Sequence, residues 1–82
     1  MIYVIDASYV DDYRLRIAFS DGKEGIVDLK ETLLKDNRPV FAELRDIEKF
    51  KQFRVDLATV VWENGLDLAP EFLYEKLVPI SA

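Results

Sequence analysis

The sequence contains neither cysteine nor histidine. Without cysteine the chain forms no disulfide and has no thiolate for nucleophilic attack or metal binding. Without histidine it lacks the side chain that serves most often as a general base and as a ligand of transition metals. We therefore expect a protein that is not an enzyme and that binds no cofactor.

Glycine and proline are scarce, with three residues of each, and no apolar run approaches the length that crosses a membrane. Three scattered glycines do not make the glycine-rich loop that cradles phosphate groups. Residues 1–6 have no basic region and reach an acidic residue early, which is not typical of a signal peptide. We expect a soluble, cytoplasmic protein with no membrane association.

The composition is that of one small globular domain. Of the 82 residues, 50% are hydrophobic and 33% are charged, and there are five Phe, four Tyr and one Trp. This length suits a single core, so we predict one domain over residues 1–82. With a net charge of −5, the chain lacks the excess of basic residues that is typical of nucleic-acid-binding proteins. An acidic chain favours a basic partner. Mild acidity also simply keeps a small domain in solution.

The first thirty residues predict an antiparallel meander of three strands. Residues 2–10 are rich in β-branched and aromatic side chains, and residues 13–20 alternate strictly between apolar and polar. Asp11-Asp12 offers a tight connection after the first strand, and Asp21-Gly22 is a strong hairpin dipeptide after the second. Residues 23–29 form the predicted return strand.

Arg14 and Arg16 lie on the polar side of the second predicted strand, with Lys23 near the hairpin turn. A two-stranded ribbon with such cations can enter a DNA groove. Acidic residues are as frequent along these strands, so we interpret the cations as a solvated sheet face with cross-strand ion pairs. Direct nucleic-acid binding is not expected. Nucleic-acid contact that requires a basic partner stays open as an alternative.

Helical spacing replaces the alternation after the third strand. Apolar residues predict a short helix over residues 28–35 with Asp28 as its N-cap, and Pro39 follows its end. From residue 40 to 53, large apolar residues recur every three positions. This spacing predicts two short helical turns packed in the core, with Asp46 capping the second.

The remaining residues predict a hairpin and a final helix. Residues 54–57 and 58–62 favour two strands that turn near Leu57-Ala58, although no glycine lies at this turn. Asn64-Gly65 predicts the next turn, Pro70 suits the first turn of a helix, and Asp67 is placed to cap it. We use the name corner for six residues around this turn and helix start, and predict that they have a structural role or form a partner surface. They are Trp62, Asn64, Gly65, Asp67, Pro70 and Tyr74.

The predicted elements follow the order β-β-β-α-α-β-β-α. About five mostly antiparallel strands with helices packed on one face make a two-layer α+β domain. Such a sheet leaves an outer face or an edge strand for pairing with another chain. Tyr and Trp are favoured interface residues. The candidate anchors are Tyr3, Tyr9, Trp62 and Tyr74, but for each of them singly we favour core or half-buried packing over a role in binding.

Glu63, Asp67 and Glu71 lie four residues apart and are the weak candidates for a metal or hydrolytic site. Carboxylates bind hard cations such as Mg²⁺ or Ca²⁺, and a pair of them can divide acid and base roles. Their spacing is not that of an EF-hand loop, and the three serines of the chain have no partnered base. We predict no catalytic and no metal site, and keep a carboxylate-dependent metal-binding or hydrolytic protein as the alternative.

Two motifs resemble a family of short bacterial proteins, the domain-of-unknown-function family twenty-four forty-two, also seen as the N-terminal domain of some helix-turn-helix proteins. Phe19-Ser20-Asp21-Gly22 resembles its Phe-x-Asp-Gly hairpin. Residues 62–74 resemble its ending, Trp-x-Asn-Gly-x-Asp-Leu-x-Pro-Glu-x-Leu-Tyr. The resemblance covers nearly the whole chain and implies an α+β fold, a stand-alone cytoplasmic protein and no established activity.

The resemblance also implies a partner. Similar members often form one half of a pair with another short protein, in a toxin–antitoxin-like arrangement. This chain shows no appended helix-turn-helix, so we expect no DNA binding through such a domain. Our leading hypothesis is a small acidic interaction or regulatory module that is the antitoxin-like half of a pair. Its partner is a protein, small and basic, or a second copy in a homodimer.

Overall fold

Two antiparallel sheets form the framework of residues 1–80, the residues that this computed structural model describes. One sheet has the strand order β1-β2-β3-β7 and the other the order β4-β5-β6. The strands are β1 Val4–Asp11, β2 Arg14–Phe19, β3 Glu24–Asp28, β4 Phe53–Asp56, β5 Thr59–Trp62, β6 Asp67–Leu68 and β7 Val78–Pro79. The predicted α+β class and the antiparallel pairing are confirmed. The short strands β6 and β7 and the division into two sheets are additions to the prediction.

The helices are short and lie between the strands. They are α1 Lys30–Lys35, α2 Pro39–Ala42, α3 Ile47–Phe50 and α4 Pro70–Glu75, with a 3₁₀ helix at Glu43–Arg45. The predicted division of residues 40–53 into short helical turns is confirmed. Among the helices of this part of the chain, none combines the length and apolarity needed to cross a membrane.

The predicted meander is confirmed, since β2 pairs with both β1 and β3. Leu15, Ile17 and Phe19 on one side of β2 are fully buried. Arg14 and Arg16 on the other side are exposed. This alternation follows from a pleated strand with one face on the core.

Phe50 and Trp62 join the two sheets. The Phe50 ring packs edge-on against Tyr9 of β1 and against Tyr13, with ring centroids 6.1 and 5.4 Å apart. The Trp62 ring of β5 lies 5.8 Å from the Phe50 ring, and its Nε1 donates to the Phe50 carbonyl at 2.8 Å. The core packing predicted for the aromatic residues of this region is therefore confirmed for Phe50.

Aspartates at two helix starts behave differently. Asp46 is the N-cap of α3, as predicted, and its side chain accepts from the Glu48 amide. The prediction of Asp28 as a cap is wrong, because the N-cap of α1 is Leu29. Asp28 Oδ1 instead accepts from the Lys30 amide at 2.9 Å. This hydrogen bond, two residues along the chain, is typical of an Asx turn that leads a strand into a loop.

Arg45 satisfies backbone groups that α1 leaves unpaired. Its Nε donates to the Leu33 carbonyl at 2.8 Å and its guanidinium also reaches the Asp36 carbonyl at 3.2 Å. The last carbonyls of a helix have no partner within the helix. The Tyr13 hydroxyl in turn donates to the Arg45 carbonyl. Arg45 thereby fixes α1 against the 3₁₀ helix.

Gly25 of β3 allows β7 to approach closely. A Cβ at this position would lie 2.2 Å from the Val78 carbonyl oxygen and 2.9 Å from the Pro79 Cα. Both are backbone atoms, which move only if β7 itself moves. The Ile80 amide donates to the Glu24 carbonyl at 3.1 Å and completes this docking.

Gly25→Ala should lower the free energy of unfolding by about 1–3 kcal/mol, the usual range for overpacking. It should also deprotect the Ile80 amide, because β7 has to withdraw. Urea unfolding and amide hydrogen exchange measure the two effects. Gly22→Ala is the control for the exchange measurement: its φ of +91° makes alanine costly there, but a Cβ meets no atom within 4 Å, so β7 should stay docked and the Ile80 amide protected. Wild-type stability with a protected Ile80 amide in Gly25→Ala would contradict this account of β7.

Candidate functional site

The structure distributes the corner residues over the core, a turn and a helix start. Trp62 is buried in the core. Gly65 lies in the turn between β5 and β6 with a φ of +91°, so the left-handed conformation expected for Asn-Gly is present. Pro70 lies in the first turn of α4, as predicted. These residues position elements and do not converge on one cleft.

Asn64 connects this turn to the helical region. Its Nδ2 donates to the Val40 carbonyl at 3.0 Å and to Glu43 Oε2 at 3.2 Å. Its Oδ1 accepts from the Leu66 amide at 3.1 Å. The side chain is half-buried, and its amide nitrogen and its carbonyl oxygen are both hydrogen-bonded. Asn64 is therefore a structural residue of the corner.

The prediction that Asp67 caps the final helix is wrong. Asp67 belongs to β6, where it pairs with Val61, and its side chain is exposed. The N-cap of α4 is Ala69, and no side chain supplies a capping hydrogen bond there. Asp67 is held in β6 by its pairing with Val61, and its side chain makes no hydrogen bond to the free amides at the start of α4.

The three candidate metal ligands do not assemble into a site. Glu63, Asp67 and Glu71 are exposed. Within residues 1–80, no group of three or more Asp, Glu, His or Cys side chains is arranged to hold a metal ion. Nothing in this geometry favours the metal-binding or hydrolytic alternative.

Tyr74 brings together the two motifs that resemble the family. Its hydroxyl donates to Asp21 Oδ2 at 2.6 Å, and its ring packs edge-on against Phe19 at 5.1 Å. The hydrogen bond from Tyr74, helped by the Lys23 amide, holds the pKa of Asp21 below its usual value. The hairpin motif and the C-terminal motif are therefore one contact in the folded chain.

Arg14 and Arg16 form the ion pairs predicted for a solvated sheet face. Arg14 binds Asp11 through two hydrogen bonds of 2.7 and 2.6 Å, and this lowers the pKa of Asp11. Arg16 reaches Glu24 of the neighbouring strand at 3.1 Å. These cations are matched by carboxylates of their own sheet, so they do not present an unbalanced basic surface.

Exposed apolar residues flank the contact between the β4–β5 hairpin and the start of β1. The Val4 amide donates to the Ala58 carbonyl at 2.9 Å and links the two sheets. Val4 itself is buried, whereas its neighbours Tyr3 and Ile5 are 44% and 62% exposed, and Leu57 is 89% exposed. We call Tyr3, Ile5 and Leu57 the tip surface.

The turn that carries Leu57 has an unusual backbone. Leu57 has a φ of 50° and Ala58 a φ of 67°, both in the left-handed region. A two-residue hairpin turn of this kind normally uses Asn-Gly, because glycine takes a positive φ without steric cost. The predicted hairpin is confirmed by the pairing of β4 with β5. The sequence indicated it only weakly because neither turn residue is glycine.

Leucine in this conformation is costly, by about 1–2 kcal/mol relative to a right-handed backbone. Because the Leu57 side chain is exposed, burial in the core of the protein offsets little of this conformational cost. Strained positions that the surrounding fold maintains are concentrated at functional sites. The tip surface is therefore the strongest candidate for a functional surface, and of its members the sequence pointed only to Tyr3.

Comparison with known proteins gives one family. The chain matches the family described as "Protein of unknown function (DUF2442)" over residues 4–79, which spans both sheets and all the helices. No curated protein and no solved structure matches the chain.

Asn64→Ala should destabilise the protein by about 1–3 kcal/mol, because it leaves partly buried backbone groups without partners. Asp67→Ala should change stability by no more than about 0.5 kcal/mol, as expected for an exposed side chain without a cap bond. Urea unfolding of both variants measures the difference. A larger loss of unfolding free energy for Asp67→Ala than for Asn64→Ala would contradict the conclusion that the hydrogen bonds of Asn64 hold the corner.

Proposed function

The chain belongs to the DUF2442 family, and we propose that this member is an interaction module that binds a protein partner through the tip surface. Leu57 carries the proposal: it is 89% exposed on a turn whose two residues are both left-handed. Exposed apolar side chains that cluster mark interaction sites more often than isolated ones. An Asn-Gly turn would close the same hairpin without this strain, so the leucine serves contacts outside the chain.

The proposed partner is a small basic protein. The net charge of −5 favours association with a chain of opposite charge, which speeds encounter and suppresses wrong partners. The family resemblance supports a two-protein pair in the cytoplasm, with this chain as its acidic, antitoxin-like half. A homodimer is the competing outcome, and it predicts recovery of this chain alone.

We propose no catalytic role for the chain. The lack of His and Cys in the sequence supports this view. The occupied hydrogen bonds of Asn64 in the corner also support it, since they leave this polar residue committed to the fold.

The test is a turn replacement, Leu57→Asn with Ala58→Gly. It should raise the free energy of unfolding by about 1–2 kcal/mol, because the left-handed strain is removed. It should also lower partner affinity at least about tenfold, because the apolar anchor is lost. Urea unfolding gives the first quantity, and a tagged pull-down weighed by native mass spectrometry gives the second.

Leu34→Asn is the matched control. Leu34 lies in α1, outside the tip surface, and is 53% exposed. It should leave partner recovery unchanged. Equal recovery of the partner by wild type and by the turn variant would contradict the proposal, and so would loss of the partner in Leu34→Asn alone.

A further inference from the structure

We infer that the tip surface accepts a short cationic, amphipathic segment of the partner, with an apolar side chain against Leu57 and basic side chains at Asp6 and Asp56. This inference rests on the proposed function and adds the chemistry of the segment that binds. It is carried by the placement of these two carboxylates, by the way β1 exposes Ile5, and by the charges that surround the surface.

Both carboxylates adjoin residues of the tip surface. Asp6 follows Ile5 and Asp56 precedes Leu57, and the bond between the Val4 amide and the Ala58 carbonyl holds the two segments side by side. Both aspartates are exposed. The apolar surface therefore has an acidic residue on each of its two segments.

A β-bulge exposes the apolar and the acidic residue together. The register of β1 against β2 shifts between Val4, opposite Phe19, and Asp6, opposite Ala18, with Ile5 as the extra residue. A bulge sets two residues of one strand against one of its partner, so the strict alternation of faces is interrupted. Ile5 and Asp6 are accordingly both exposed, although they are neighbours in a strand.

These two carboxylates are less neutralised than the tightly paired ones, such as Asp11. Asp6 accepts from the Ala7 amide at 3.0 Å and forms no ion pair with the cations of residues 1–80. Asp56 lies 3.5 Å from Arg54 Nε, an ion pair without a hydrogen bond of good geometry. Asp11, by contrast, is bound by two short hydrogen bonds. Charge is thus available for a partner at the tip surface.

The charge pattern selects among possible occupants. A second copy of the chain would bring carboxylates of the same sign together, which is unfavourable at an interface. Nucleic acid and an anionic lipid surface would be repelled for the same reason. A protein segment with leucine-like side chains flanked by lysine or arginine can bury its apolar side chains against the tip surface and pair its basic side chains with Asp6 and Asp56.

The probe is a short labelled peptide in which leucines are flanked by lysines, compared with a peptide that has glutamates in place of the lysines. Fluorescence anisotropy at low and high salt measures binding to the full chain. The lysine peptide should bind, and its affinity should fall as the salt concentration rises, because salt screens exposed ion pairs. The glutamate peptide should not bind. Equal binding of both peptides would overturn the inference.

A double variant, Asp6→Asn with Asp56→Asn, tests the carboxylates. Asparagine keeps an acceptor for the Ala7 amide, so the local fold is kept. Affinity for the lysine peptide should fall about fivefold to tenfold at low salt, the sum expected for two exposed ion pairs. The control, Glu31→Gln with Glu48→Gln, removes the same charge from α1 and α3 and should stay within about twofold. Equal weakening in both variants would show attraction by overall charge alone and overturn the inference.

The turn variant, Leu57→Asn with Ala58→Gly, separates this inference from the proposed function. If the cellular partner depends on Leu57 but not on Asp6 and Asp56, the proposed function stands and the cationic segment is wrong. If the lysine peptide binds the turn variant as well as wild type, the segment does not occupy the tip surface. If wild type retains no partner from the cell, the proposed function itself fails.

Discussion

The contact between Phe50 and Trp62 is the interaction on which the arrangement of the two sheets depends. Trp62 belongs to β5, and its ring and Nε1 both contact Phe50, which packs in turn against Tyr13 beside the first sheet. Large aromatic surfaces and a satisfied indole N–H make such a contact both stabilising and directional. Because Trp62 anchors the base of the β4–β5 hairpin, the other end of the hairpin is carried to a fixed place at β1.

The two ends of this hairpin have different roles. At its base, Trp62 is buried and contributes to the core. At its tip, Leu57 is exposed on a left-handed backbone and contributes little to the core. A domain of this size has a net stability of only several kcal/mol, so a strained turn is a noticeable fraction of it. The buried end makes the strained end tolerable, and the bond from Val4 to Ala58 sets its position.

Local signals predicted the elements that local chemistry determines. The alternation of β2, the Asp46 cap and the hairpin at Leu57-Ala58 each depend on residues within a few positions of one another. The cap assigned to Asp67 was wrong, because β6 exists only through pairing with β5. Arg45 was missed, since its carbonyl partners, in α1 and just after it, lie 9 to 12 residues earlier in the chain. The tip surface could not be derived, because it depends on how two sheets meet. The sequence pointed to Tyr3 as an anchor and to a turn without glycine at Leu57-Ala58, but not to Leu57 as part of a surface.

The most direct test of the partner surface is a map of the residues that change when a partner binds. The ¹⁵N-labelled chain would be titrated with the lysine-flanked peptide, and with the cellular partner once it is recovered, and amide chemical shifts would be followed by NMR. We predict that the largest changes fall at Tyr3, Ile5 and Leu57, with the amides of α4 unaffected. Changes centred on Glu63 and Glu71 instead would contradict it and return attention to the corner.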